Sequence, residues 1–136
     1  NLLTIAKPVA AALKTSATDG PGLYAQYCAS CHQANGQGLP GAFPPLAGTP
    51  VATGDSAYLT QMVLSGFAGR VTVKGQTYDG NMPAMGAVLN DTQLAEILTY
   101  IRSAWNNKAA AVNADMVKAA RASALSPQQI LARYPK

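Results

Sequence analysis

Cys28-Ala29-Ser30-Cys31-His32 contains both cysteines and the single histidine of the chain. Two thiols separated by two residues share one helical turn, and an imidazole follows at once. This is the spacing that attaches c-type haem. The thiols add across the two vinyl groups of the macrocycle, and the next residue is carried beneath the iron as proximal ligand. Other readings fit less well. A structural zinc site wants four Cys or His ligands, and here there are three within five residues. A thioredoxin-like redox pair wants a βαβ setting, and none surrounds Cys28. A plain disulfide leaves His32 unexplained. Covalent haem c is attached outside the cytoplasm, so the expected compartment is the bacterial periplasm or another extracytoplasmic space.

A haem that shuttles electrons closes its sixth position with a strong ligand. With no second histidine, the candidates are Met62, Met82, Met85 and Met116. Met62 falls in a helical pattern over residues 57–64 and reads as core. Met116 falls on an apolar stripe near the C-terminus. Met82 and Met85 lie in Tyr78-Asp79-Gly80-Asn81-Met82-Pro83-Ala84-Met85-Gly86, whose glycines and proline predict a loop. A loop lets a thioether approach iron side-on, so loop placement selects this pair.

The remaining composition sets the frame. The chain has 136 residues, 49% hydrophobic and 12% charged, which suits one domain with one modest core and excludes a disordered chain. No apolar run reaches the roughly 20 residues of a membrane span. Residues 1–17 carry Lys7, Pro8 and Lys14 and read neither as a span nor as a signal peptide. A start at Asn1 reads as a processed or trimmed product. Of the net charge of +4, residues 20–107 contribute −1: Arg70, Lys74 and Arg102 against Asp55, Asp79, Asp91 and Glu96. Residues 108–136 contribute +4: Lys108, Lys118, Arg121, Arg133 and Lys136 against Asp115. No dense basic run interleaves with aromatics, which argues against nucleic acid. The basic segment reads either as a solvated helix or as a steering element for an acidic partner or membrane surface.

Local signals place the elements. Asp19 caps a first helix with Pro21 in its first turn, running to about Ser30. Residues 35–53, rich in Pro and Gly, predict a long loop against the haem edge. Asp55 caps a second helix that stops at Gly66. Val71-Thr72-Val73 and Gln76-Thr77-Tyr78, around Lys74-Gly75, predict a small hairpin. Asn90, with Gln93 as capping-box partner, opens a helix whose buried stripe is Leu94, Ile97, Leu98, Ile101 and Trp105. In the tail, Asn113 caps a helix with Val112, Met116, Ala120 and Ala124 at steps of four. Ser126-Pro127-Gln128-Gln129 starts another, with Ile130 and Leu131 as its apolar face. These tail helices either cover the core or dock a partner, with covering slightly favoured.

Taken in order, these features resemble a class I cytochrome c over residues 19–107. Gly20 and Tyr24 match the family's first helix where it crosses the last, represented here by Ile97 and Tyr100. The resemblance implies an all-α fold of three to four core helices around one covalent haem c, with a small β-hairpin and additional C-terminal helices. Residues 1–18 are then an extension or linker, and 108–136 a basic helical extension. It also implies that Cys28 and Cys31 bind the haem and that His32 and Met82 ligate the iron. In Phe43-Pro44-Pro45-Leu46, Pro44 is the carbonyl that accepts the histidine Nδ1–H. Pro83 supports Met82 over Met85, because proline biases the preceding residue to an extended conformation. Arg70 reads as a partner for a haem propionate or as a solvated surface arginine.

Leu39-Pro40-Gly41-Ala42-Phe43-Pro44-Pro45-Leu46 and the 71–78 segment resemble the small cytochrome modules of periplasmic dehydrogenases, copper nitrite reductases and terminal oxidases. The implied function is electron transfer, without catalysis by this chain itself, as a subunit or domain serving a larger oxidoreductase. A free periplasmic shuttle and a ligand-binding haem with an open sixth site are the alternatives. Haem with two ionised propionates adds roughly −1 when ferric and −2 when ferrous, so the core becomes mildly acidic. Docking is then expected through a neutral or apolar patch, with steering left to the tail.

Overall fold

Asp19 sets the first helix: its carboxylate accepts from the Gly22 amide at 2.6 Å, and Pro21 stands in the first turn. Helix α1, Gly20–Tyr27, breaks at Cys28, and a separate turn α2, Ala29–His32, carries the rest of the motif. The break lies earlier than the single helix predicted to Ser30. A computed structural model describes residues 19–135 of the chain. The expected extension over residues 1–18 lies outside them.

The long helix α5, Asp91–Ser103, begins with the predicted capping box between Asn90 and Gln93. Before it come a short α3, Pro50–Thr53, and α4, Ser56–Ser65, capped by Asp55. Helix α1 crosses α5 at Gly20, where a Cβ would lie 2.6 Å from the Glu96 carbonyl oxygen and 2.9 Å from Tyr100 Cβ. Beside the crossing, Tyr24 packs on Tyr100 and Trp105 at centroid distances of 5.4 and 5.1 Å. Leu23, Leu94, Ile97 and Leu98 are completely or almost completely buried beneath them. Trp105, expected in the buried stripe of α5, lies beyond its end at Ser103 with φ 53° and packs half-buried against the core, its indole N–H donating to the Ala34 carbonyl.

Two buried polar side chains fasten the loops to the end of α5. Asn107 donates to the Leu46 and Ile101 carbonyls and accepts from the Gly48 amide at 2.7 Å. Arg102, 4% exposed, donates to the carbonyls of Ala52, Gly54 and Ala110. Each replaces backbone hydration lost on burial.

The hairpin is longer than the sequence pattern indicated. Strands β1, Phe67–Val73, and β2, Gln76–Met82, pair antiparallel from Phe67 opposite Met82 to Val73 opposite Gln76. Lys74 and Gly75 both have positive φ, as a two-residue hairpin turn with the twist of its strands requires. The segment expected as loop from Tyr78 is therefore strand up to Met82. Glycines at 69 and 80 face each other across the ribbon without breaking the pairing.

The C-terminal extension covers the core. Helix α6, Ala114–Ala122, lies on α4 and α5, and α7, Pro127–Ala132, on α4 and β1. Of the expected stripe, Val112 and Ala120 are buried, Met116 is half-buried beside the fully buried Val117, and Ala124 lies exposed beyond the end of α6. The Ser126–Gln129 capping box forms as predicted, and Ile130 is fully buried.

Candidate functional site

Helix α2, the 42–52 segment, α4, α5 and one face of the hairpin surround an apolar cavity of about 1040 Å³, its mouth included. Cys28, Cys31, His32, Pro44 and Met82 all line it. The two cysteines are free, half-buried thiols. Burial, with the neighbouring Cys31, pushes the Cys28 thiol up to about 12, so it stands protonated at neutral pH.

His32 is oriented by the backbone. Its Nδ1 lies 2.8 Å from the Pro44 carbonyl oxygen. A carbonyl only accepts, so Nδ1 carries the proton and Nε2 keeps the lone pair. Burial lowers the histidine's pKa, against the opposing pull of the Pro44 bond, and so favours the neutral, ligating form. The Tyr24 hydroxyl donates to the Gln33 carbonyl at 2.6 Å and ties the turn after His32 to α1.

Strand alternation decides which hairpin residues face the cavity. Phe67, Gly69 and Val71 of β1, and Tyr78, Gly80 and Met82 of β2, are lining residues on one face of the ribbon; Asn81, opposite Ala68 on the other face, reaches the lining beside Met82 as well. Arg70 and Asp79 lie on the other face, 3.7 Å apart, with both side chains well exposed. Arg70 is thus not brought to the cavity with the other predicted site residues.

Of the four methionines, Met62 and Met82 line the cavity. Met85 packs on the core beside it, its amide donating to the Val63 carbonyl, and Met116 packs against the core from α6. Met62, the core residue that its helical pattern predicts, is 5% exposed, yet it also reaches the cavity, which helical periodicity alone does not reveal. Tyr134, another lining residue, was missed because it follows the tail helices. In sequence Gly66 signals only a helix stop. Its φ is 66°, and a Cβ there would collide with the Met82 carbonyl oxygen.

The residues fit a covalent haem. Two free thiols, one imidazole with a free Nε2 and two thioethers, Met62 and Met82, meet in a cavity whose lining contains no Lys, Arg, Asp or Glu. Among the described residues no helix is long and apolar enough to cross a membrane.

Comparison with known proteins agrees. Residues 15–101 match the family model described as cytochrome c oxidase, cbb3-type, subunit III. Cytochrome c-552 of Thermus thermophilus is 42% identical over 133 residues, covering 91% of this chain and 88% of that protein. The fructose dehydrogenase cytochrome subunit of Gluconobacter japonicus is 38% identical over 115 residues, 79% of this chain but 23% of the relative. The gluconate 2-dehydrogenase cytochrome c subunit of Pantoea cypripedii is 37% identical over 95 residues, 68% of this chain and 21% of the relative.

Proposed function

Because the chain belongs to the cytochrome c family, whose members carry covalently bound haem c and transfer electrons, we propose that it ligates its iron through His32 and Met82 and relays electrons to or from a larger oxidoreductase outside the cytoplasm. The ligand assignment is supported by Cys28, Cys31, His32 and Met82 lining one uncharged cavity, with the His32 Nδ1 already engaged by Pro44; Met62 lines it too, but from within α4, whereas Met82 stands at the end of β2 before Pro83. The bound haem supplies a one-electron ferric–ferrous couple. The chain does the rest. Cys28 and Cys31 hold the macrocycle covalently through thioether bonds. Pro44 fixes the plane of the imidazole. Met82, last residue of β2, is held extended by Pro83 and by pairing with Phe67. One imidazole and one thioether suit both oxidation states, and a thioether opposite histidine favours a raised potential. Apolar walls exclude water. Arg70 stays in this reading a surface arginine paired with Asp79, in keeping with its exposure.

The testing experiment compares two thioethers. Met82→Ala is expected to abolish the sulfur-to-iron charge-transfer band of the ferric protein, lower its potential and open the sixth site to carbon monoxide. Met62→Ala keeps the band and costs packing, about 2–4 kcal/mol at a buried site. Loss of the band in Met62→Ala, with the band retained in Met82→Ala, would reverse the assignment. Fast, tight carbon monoxide binding by the wild type would favour an open sixth site.

The relay role draws on the dehydrogenase cytochrome subunits, of which this chain matches about a fifth of the length. A free periplasmic shuttle is the second reading, favoured by the near full-length match to cytochrome c-552. Co-purification with a large partner supports the first, and a chain that elutes alone from its native extract supports the second.

A further inference from the structure

Residues far beyond the last core helix return to the haem cavity. Helix α7 crosses β1 at Gly69, where a Cβ would lie 2.6 Å from Leu131 Cδ2. The strand thus gives up a side chain where the helix passes. The Tyr58 hydroxyl donates to the Ile130 carbonyl at 2.5 Å, and Ser65 Oγ donates to the Leu125 carbonyl at 2.6 Å. So held, the chain runs on to Tyr134. Its ring lies 5.9 Å from that of Phe67, centroid to centroid, and packs against Val71, Val73 and Tyr78. Tyr134 lines the same cavity as Cys28, Cys31, His32 and Met82.

We propose that Tyr134 is a haem-binding residue: the C-terminal segment folds back so that this ring forms the hairpin-side wall of the cavity and keeps water from the macrocycle. The proposal rests on haem occupying that cavity and is independent of which methionine ligates the iron. Its hydroxyl, pushed up to about 12 by burial with Tyr58 adding to the shift, is neutral at working pH, so the wall carries no charge. Water stabilises the ferric site more than the ferrous one, because oxidation leaves one more positive charge there. A wall that excludes water therefore raises the potential.

The test measures midpoint potential, haem content per chain and thermal melting on the haem-loaded full chain. Tyr134→Phe is expected to keep the wild-type potential, because the ring remains. Tyr134→Ala is expected to lower it. Val117→Ala, in the buried face of α6 and away from the cavity lining, should lower the melting temperature while leaving the potential unchanged. If Tyr134→Ala does not accumulate, Tyr134→Val takes its place with the same expectation. An unchanged potential in the loaded alanine or valine variant overturns the proposal. So does a fall in Tyr134→Phe as large as that in Tyr134→Ala. A wild-type chain without a haem c spectrum overturns the premise instead, which separates the two failures.

Discussion

Gly66 controls the approach of Met82 more directly than any charged group. It ends α4 at φ 66°, and a Cβ would meet the Met82 carbonyl oxygen and lie 2.8 Å from the Ala84 amide nitrogen. With ψ near 180°, Gly66 occupies a positive-φ region open almost only to glycine, so alanine there carries a strain of about 1–3 kcal/mol and must also displace the Met82–Pro83 backbone. Gly75 provides the comparison, with φ 78° but open space around it. Gly66→Ala is therefore expected to weaken the sulfur-to-iron band and lower the denaturation midpoint. Gly75→Ala should lower the midpoint alone. Equal bands in the two variants would show that Gly66 does not position Met82. At this scale the sequence was informative where chemistry is local. Cys28, Cys31 and His32 announce their cofactor by spacing, and all three line the cavity. Gly66 announces only a stop, because the atom it must clear is sixteen residues away in sequence.

Between elements, Arg121 is the fastener to test. From α6 its guanidinium donates to Asp91 at 2.5 Å and to the Gly86 and Leu89 carbonyls at 2.6 Å each. It thereby ties the C-terminal extension to the segment that follows Met82. Arg121→Ala leaves two carbonyls and a half-buried carboxylate without this donor, at a cost of about 2 kcal/mol for charge-assisted bonds. Chemical denaturation should show that loss, and Lys118→Ala, one exposed position on the same helix, should not. The α7–hairpin contact adds a pH signature. Burial raises Tyr134 to about 12, whereas an unfolded tyrosine titrates near about 10. Above about pH 10 the unfolded chain releases a proton that the folded chain keeps, so stability is full below that pH and falls toward 12. Melts across this range should fall less steeply in Tyr134→Phe, the residual slope coming from Tyr24 and Tyr58, which burial also raises. An identical slope would mean that Tyr134 is not buried in solution. Caps made the helices legible: Asp19, Asp55, Asn90, Asn113 and Ser126 each accept the expected backbone N–H. The hairpin's length was not legible, because Gly69, Gly80 and Asn81 are poor strand formers that pairing alone holds extended. Alternation continued from Val71 and Tyr78 would have turned Met82 inward and Arg70 outward.

Over the described residues as a whole, charge is kept out of the lining of the cavity, the expected port for electrons. The cavity lining contains no Lys, Arg, Asp or Glu. Two of the cations that the sequence offers are committed internally: Arg102 is buried on three carbonyls, and Arg121 is paired with Asp91. Near the site, Leu39 stands 48% exposed, and the adjoining 40–45 segment is Pro, Gly, Ala and Phe. Electron transfer requires a partner to approach the haem closely, and this surface offers apolar contact without a ring of like charges. Electrostatically steered association changes rate by 10-fold to 10³-fold and collapses with salt, whereas apolar contact does not. The second-order rate with the native partner is therefore expected to change by less than about threefold between roughly 50 and 500 mM salt. Reversing two exposed cations of the extension, Lys108→Glu with Lys118→Glu, should leave the rate within about twofold at low salt. A steep salt dependence that this double variant removes would show instead that the basic extension steers an acidic partner, and the port would have to be sought on that side of the molecule.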